Sequence, residues 1–193
     1  MFEKIGGAVT AARAGLLACA AIFVAAPAAA ELVNENLLVS VPDGYKVDFN
    51  DKSPKMMIQE MVPAAENVHG WTEMVTVQIF FNLKAPLDEF RARSERLWAD
   101  ACAKSIFNDI ASVTENGYPV LIWLQTCPLN KETGKPEITF FKAIQGNDSL
   151  YVVQKAFKSQ PSKEQIGTWM RFLKKVSVCD SRVPDRACPA TKQ

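Results

Sequence analysis

The sequence predicts an α+β domain in which an antiparallel sheet is flanked by two amphipathic helices. A long strand-like stretch, 71–81, runs directly into a helix-like stretch, 86–106. The strand-like stretches that follow are joined by short turns, which is typical of antiparallel pairing. A second amphipathic helix, 162–176, closes the ordered part of the chain. Because strands carry apolar residues on both faces, we expect a three-layer sandwich with the helices on the sheet's faces or at its ends.

Residues 1–30 predict a signal peptide rather than part of the fold. The apolar run 14–26 is too short to span a bilayer, for which about 20 residues are needed. Three alanines at 28–30 form an A-x-A cleavage site before Glu31. The residues before Cys19 resemble a lipoprotein cleavage box, but little apolar sequence precedes that cysteine, so we favour soluble export over a lipid anchor there. The expected location is periplasmic or secreted.

The remaining chain predicts one domain, 31–178, followed by a polar C-terminal tail, 179–193. Without the first thirty residues, the basic and acidic side chains are equal in number. A neutral chain without a basic run gives no electrostatic reason to expect nucleic-acid or anionic-membrane binding. No later apolar run is long enough to span a membrane.

Four cysteines remain after the signal segment, and an even number in an exported chain indicates two disulfides. Three connectivities are possible, and we favour Cys102–Cys127 with Cys179–Cys188. Cys102 lies at the edge of the helix's apolar stripe and can reach sideways, and Pro128 ends the strand that carries Cys127. Because the cysteines are not in C-x-x-C pairs, zinc or thioredoxin-type roles are disfavoured.

Four strands are predicted before the first helix. Residues 37–41 form a short apolar run, 45–49 alternate apolar and polar, and 56–62 form a methionine-rich strand. The fourth strand is 71–81, and its alternation gives one wholly apolar face that must be buried. That face consists of Val75, Val77, Ile79 and Phe81.

The first helix, 86–106, has one predicted buried stripe and one solvated side. Arginines and acidic residues, including Arg91, Arg93 and Arg96, lie on the solvated side. The predicted buried stripe consists of Leu87, Phe90, Ser94, Leu97, Trp98, Ala101 and Ser105.

Hairpins and a capped helix follow. Asn116 and Gly117 form a strong hairpin signal between strands 110–114 and 118–126. Strands 137–145 and 150–157 form a second hairpin. Ser162 and Gln165 form a capping box that opens the second helix. Its predicted buried stripe consists of Ile166, Trp169, Met170, Leu173 and Val176.

No catalytic motif, nucleotide-binding loop or metal-ligand spacing occurs in the sequence. Asp43, Asp48 and Asp51 lack calcium-loop spacing and are interpreted as turn carboxylates. We therefore expect no enzyme, no metal and no cofactor. Two carboxylates suffice for glycoside hydrolysis, so a small carboxylate-dependent hydrolase stays an alternative.

His69 and Trp71 are the candidate binding residues, because aromatic loop residues often anchor partners. His69 is the only histidine, and it ends a loop, 63–70, that runs straight into Trp71. The competing interpretation is structural and is the one we favour: Trp71 covers the sheet edge and His69 is a solvated loop residue.

The order of these elements resembles the small Mog1/PsbP-like sandwich, which includes DcrB-like exported proteins. Strand 71–81, helix 86–106, the hairpins and helix 162–176 carry the resemblance, which spans nearly the whole exported chain. The family implies a non-enzymatic adaptor, chaperone or envelope accessory role, and it implies no particular site residue.

The expected function is therefore that of an exported, disulfide-stabilised binding or accessory protein of the cell envelope, acting by contact with a protein partner. Two alternatives stay open: a small carboxylate-dependent hydrolase, and a carrier of a small apolar ligand held between helix and sheet.

Overall fold

The computed structural model describes residues 32–189, so the predicted signal peptide and Cys19 lie outside the described residues. Within them, no helix is long and apolar enough to cross a membrane. The elements are β1 (Glu35–Leu38), β2 (Tyr45–Lys52), β3 (Met56–Pro63), β4 (Glu73–Phe81), α1 (Leu87–Ala101), β5 (Ile106–Glu115), β6 (Tyr118–Cys127), β7 (Glu137–Gln145), β8 (Ser149–Phe157), α2 (Lys163–Lys175), β9 (Ser177–Asp180) and a short 3-10 helix (Pro184–Arg186).

Seven strands form one sheet in the order β2-β3-β4-β8-β7-β6-β5, and each strand runs antiparallel to its neighbours. Strands β1 and β9 pair separately as a two-stranded sheet. The two helices pack on opposite faces of the large sheet. The predicted α+β architecture with an antiparallel sheet between two helices is confirmed.

The α2 face holds the larger part of the core. Val75 and Val77 of β4 pack there against Trp169 and Leu173 of α2, together with Val178 of β9. The buried side of β4 is therefore the one that its alternation predicted.

The α1 face holds a smaller cluster. Trp123 and Phe141 stack on each other, with ring centroids 4.8 Å apart, and Trp98 of α1 meets Phe141 edge to face. Leu121 and Val152 complete the floor beneath the helix.

Local sequence signals set several boundaries. Asn116 and Gly117 both adopt positive φ, 47° and 72°, and they form the two-residue turn between β5 and β6. Both hydrogen bonds of the capping box between Ser162 and Gln165 are present at the start of α2. Helix α1 ends at Ala101, earlier than predicted, because the chain turns there and β5 already begins at Ile106.

The sequence prediction of a polar tail from Cys179 missed strand β9. Residues 177–180 pair with β1, and Cys179 and Asp180 are each about 1% exposed. A four-residue strand that pairs with a segment about 140 residues away leaves no local periodicity. Strand β9 therefore helps to cover the α2 face.

The carboxylate of Glu35 fixes β1 against the turn between β7 and β8. It accepts hydrogen bonds from the backbone N–H groups of Asp148 (2.9 Å) and Ser149 (3.3 Å) and from the Tyr151 hydroxyl (3.0 Å). A side chain at Gly146 would collide with that carboxylate. The turn therefore acts as a backbone cradle for an anion, filled by the chain itself.

Both disulfides form, in the connectivity that the sequence favoured. Cys102, directly after α1, is bonded to Cys127 at the end of β6. Cys179 of β9 is bonded to Cys188, beyond the 3-10 helix. One bond therefore ties α1 to the sheet, and the other closes the chain around the β1–β9 pair.

Candidate binding site

His69 and Trp71 lie together in the loop between β3 and β4. His69 is exposed, and its backbone N–H donates to the Asn67 side chain at 2.9 Å. Trp71 is half-buried, and the Lys158 ammonium lies 3.9 Å from its ring centroid. Neither residue lines the cleft between α1 and the sheet that is described next. A binding role for these two residues stays a prediction.

A cleft with a volume of about 890 Å³ lies between α1 and the sheet. We call it the α1 cleft. One wall is the side of α1 that carries Phe90, Arg93 and Leu97, and the floor comes from β4, β7 and β8. Its lining residues are Gln78, Phe80, Leu83, Ala85, Glu89, Phe90, Ala92, Arg93, Ser94, Arg96, Leu97, Trp98, Phe141, Val152 and Gln154.

The cleft exists because α1 is fixed toward one side of the sheet. Its nearest strands are β6 and β7. The Cys102–Cys127 disulfide holds its C-terminal end over β6. In the middle of the helix, the buried Gln125 side chain of β6 donates to the Ser94 hydroxyl at 3.2 Å. The opposite side of α1 therefore faces β8 and β4 across open space.

The chain leading into α1 is fixed at the other end of the cleft. Gln145 of β7 accepts from the backbone N–H of Ala85 at 3.1 Å and donates to the Leu83 carbonyl at 3.2 Å. Phe80 and Phe90 then meet edge to face, with centroids 5.6 Å apart. The two ends of the cleft are therefore held by specific contacts, so its shape is set before anything binds.

The side of α1 that faces the cleft is unusually exposed to solvent for an amphipathic helix. None of the α1 side chains is buried, and Leu97 is 62% exposed. Arg93 and Arg96 are also exposed, and no carboxylate in residues 32–189 lies within ion-pair distance of either guanidinium. Arg91, on the opposite side, pairs with both Glu95 and Asp109. The cleft side of α1 thus presents an exposed leucine together with two arginines, and the described chain supplies no ion-pair partner for either arginine.

The sheet is wider than a single helix can cover. Seven strands spaced about 4.8 Å apart span about 29 Å, whereas a helix with its side chains covers about 10 Å. On the α2 side, β1 and β9 add to the cover that α2 provides. On the α1 side, α1 lies over β6 and β7, and the cleft begins at β8.

Strands β2, β3 and β4 continue the floor beyond the cleft, and the register defines which of their side chains share its side. Met56 is paired with Phe80, and Ile58 with Gln78. Phe49 of β2 is 42% exposed on the same side. We call this surface the open half-face, and its members are Phe49, Met56, Ile58, Glu60, Gln78, Phe80 and Gln154.

Two polar features mark the open half-face. The Gln154 side chain donates to the Gln78 carbonyl oxygen at 2.8 Å, so the amides satisfy each other across β4 and β8. Partial burial raises the pKa of the Glu60 carboxyl above its ordinary value. The surface therefore combines apolar side chains with one paired amide couple and one carboxyl that is poorly solvated.

A second cluster, around Lys155, is closed to solvent. Its ammonium is fully buried, donates to Tyr45 (2.7 Å) and Glu73 (2.8 Å), and lies 3.7 Å from the Trp169 ring centroid. Burial lowers the pKa of Lys155 to about 8. Because these contacts enclose the lysine and join α2 to the sheet, we assign the cluster to stability. No group of three or more potential metal ligands occurs within residues 32–189.

Sequence reasoning found the apolar stripe of α1 but not the cleft. Periodicity shows which side of a helix is apolar, but it does not show how far the neighbouring sheet extends. Leu97 was therefore predicted to be buried, and this prediction was wrong, because the sheet beneath it lies across the cleft. The available signal was the pair Arg93 and Arg96, which lie within about one helical turn before Leu97.

Comparison with known proteins gives a weak resemblance in architecture. No protein-family model matches the sequence, and no curated protein matches it. A solved structure of a Mog1 point mutant is 14% identical, with a TM-score of 0.43, over 70% of this chain and 78% of that one. The Saccharomyces cerevisiae Ran-binding protein Mog1p is also 14% identical, with a TM-score of 0.42, over 73% and 85%. The likeness to Mog1 concerns the fold alone.

Proposed function

We propose that this chain is an exported, non-enzymatic accessory protein of the cell envelope, and that it acts by protein–protein contact through the α1 cleft. The two disulfides suggest a non-reducing compartment. The signal-like segment 1–30 supports export.

The observation that carries the proposal is the asymmetric cover of the sheet. A cleft of about 890 Å³ opens beside α1, and Leu97 stands exposed in its wall. Exposed apolar surface in a concave site that is held from both ends is typical of a binding surface.

Contact through the sheet edges is disfavoured by their shape. Edge strand β2 carries a bulge between Val47 and Phe49, and edge strand β5 carries one between Asp109 and Ala111. Bulges twist an edge and interrupt its hydrogen-bonding pattern, which blocks pairing with a second strand. The faces are therefore favoured over the edges for contact with a partner.

The carboxylates near the clefts support the non-enzymatic assignment. Glu89 is the single carboxylate in the lining of the α1 cleft, whereas glycoside hydrolysis needs two. A second cleft, of about 670 Å³, is lined by both Glu35 and Asp148. Glu35 is engaged by the β7–β8 turn, and Asp148 accepts from Arg182 at 2.8 Å, so both carboxylates already serve the fold.

A carrier of a small apolar ligand is the second candidate function. The volume of the α1 cleft lies within the range of about 300 to 1,000 Å³ that is common for small-molecule sites. The open half-face beside it favours a larger partner, because a small ligand there would stay exposed to water on one side.

Site-specific photo-crosslinking in intact cells tests the proposal. A photoreactive amino acid at position 97 is expected to give one dominant adduct with an envelope protein. The matched control carries the same group at Lys163, which is exposed on α2. The proposal fails if position 97 gives no adduct, or gives the same adducts as position 163. Recovery of a bound small molecule instead would favour the carrier.

A further inference from the structure

We infer that the α1 cleft receives an amphipathic helix of the partner protein, with an acidic flank of that helix beside Arg93 and Arg96. The inference rests on the proposed function, because it names the partner's chemistry at the same site. It has three parts: the shape of the guest, its apolar side and its charge.

The shape follows from the space that α1 leaves. Helices that pack side by side on a sheet are separated by about 8 to 10 Å, and strands β8, β4, β3 and β2 extend about 14 Å beyond the part that α1 covers. One further helix fits on that width and completes the layer. An added strand would need a free sheet edge, and a bulge interrupts each edge.

The apolar side of the guest follows from the surfaces that it would touch. Phe80 and Val152 form the floor, while Phe90 and Leu97 form the wall. A helix set against a floor and a wall buries a broad stripe, about 100° or more of its circumference. A helix with apolar residues at positions i, i+3, i+4 and i+7 matches this angle.

The charge expected of the partner helix follows from the charged residues of α1 that line the cleft. Arg93 and Arg96 have no carboxylate within ion-pair distance among residues 32–189, in contrast to the doubly paired Arg91. Glu89 is the one acidic side chain that also lines the cleft, one turn before Arg93. Glu60 lies on the far side of the open half-face, on β3. The acidic flank is therefore placed toward α1 and not toward the edge strands.

Two designed helical peptides of 18 residues test the inference. They share one Leu/Ala face and differ along one flank, which carries four Glu in the first peptide and four Gln in the second. Calorimetric titration of the disulfide-intact protein is expected to show about fivefold tighter binding of the Glu peptide at low ionic strength. The difference is expected to shrink as salt is added.

Charge reversal on the protein provides the matched control. R93E/R96E is expected to abolish or invert the preference for the Glu peptide, and K163E/R171E, with the same change in net charge on α2, is expected to preserve it. All four positions are exposed, so we expect both double variants to fold. Their melting temperatures check this. Equal affinity for the two peptides, no binding of the Glu peptide at 1 mM, or an equal effect of both double variants overturns the inference.

The outcomes separate this inference from the proposed function. A crosslinked envelope protein at position 97 whose contacting segment is extended or basic would overturn the helix assignment and leave the accessory role standing. If the protein forms a concentration-dependent dimer that the R93E/R96E substitutions dissociate, the cleft binds a second copy of this chain. That outcome would overturn the inference. Absence of any position-specific adduct would remove both.

Discussion

The two faces of the sheet are covered by helices of similar length, but the two helices pack against the sheet very differently. On the α2 face, Leu173 is fully buried and Trp169 is 8% exposed. On the α1 face, no helical side chain is buried and Leu97 is 62% exposed. Both helices show a clear apolar stripe in the sequence. The difference therefore comes from what each stripe meets.

Buried cations add to the cover of the α2 face. The Lys142 ammonium, fully buried, donates to the carbonyls of Leu173 (3.0 Å) and Val176 (2.7 Å), which close the C-terminal end of α2. Glu115 balances its charge. At the other end of the helix, Gln165 donates to Glu73, the partner of Lys155. Burial raises the pKa of Glu73, but the charge of Lys155 and hydrogen bonds from Lys155, Tyr45 and Gln165 together outweigh it and hold that pKa below its ordinary value.

The contrast separates stability from recognition within one small domain. Elements that bind partners are commonly drawn from the less stable parts of a fold, which expose apolar surface and backbone hydrogen bonds. Helix α1 exposes Leu97 and buries no side chain, whereas α2 begins with a capping box and buries Trp169 and Leu173. We therefore expect α2 to contribute more than α1 to the free energy of unfolding, and α1 to contact the partner.

A matched pair of leucine substitutions measures the contrast most directly. Leu173→Ala is expected to lower the free energy of unfolding by about 3 to 5 kcal/mol, because it leaves a cavity in a filled core. Leu97→Ala removes the same atoms from an exposed position and is expected to cost about 0.5 kcal/mol or less. Denaturant unfolding followed by circular dichroism measures both values.

The same two variants also test recognition. Leu97→Ala is expected to weaken the Glu peptide's binding, although its effect on stability is small. A cost above about 2 kcal/mol for Leu97→Ala would mean that the cleft side of α1 belongs to the core. The division between the two faces would then be wrong.

The two disulfides are also expected to stabilise different parts of the molecule. Replacing Cys102 and Cys127 with alanine is expected to cost about 3 kcal/mol in the chain-entropy description, and to raise hydrogen exchange chiefly in α1. Replacing Cys179 and Cys188 should raise exchange in β1 and β9. Hydrogen exchange read by mass spectrometry resolves the segments. Equal loosening of α2 in both variants would contradict independent roles for the two bonds.

Sequence reasoning predicted the features that depend on residues close together in the chain. The Asn116-Gly117 turn, the capping box at Ser162 and the alternation in β4 each involve residues within a few positions of one another. The disulfide of Cys102 with Cys127 followed from where a helix stripe and a strand end lie. These signals determine the order of the elements, and with it the fold class.

What could not be predicted depends on distant parts of the chain. Strand β9 is defined by its pairing with β1 and has no pattern of its own at four residues. The cleft depends on where α1 settles across the sheet, which Gln125 and Cys127 decide from β6. The binding candidates His69 and Trp71 were chosen from loop chemistry, and the structure places them outside the α1 cleft.

The smallest expected effect concerns acid stability of the β1–β9 pair, which covers part of the α2 face. The Asp180 carboxylate accepts from Arg182 through its backbone N–H (3.0 Å), Nε (2.8 Å) and Nη2 (2.7 Å). These bonds lower the pKa of Asp180 to about 2. Because the folded pKa lies below the unfolded value of about 3.9, the stabilisation is full above pH 4 and is lost as the pH falls toward 2. Arg182 is 46% exposed, so solvent screening keeps the effect small.

Asp180→Asn should therefore flatten the fall in the free energy of unfolding between pH 4 and pH 2. Urea unfolding at a series of pH values measures the slope. Because Asp180 acts on the cover of the α2 face, the substitution should also leave the affinity of the Glu peptide at pH 7 unchanged. A shared loss of acid stability and peptide binding would show that the two faces are coupled through the sheet, and the separation of stability from recognition would not hold.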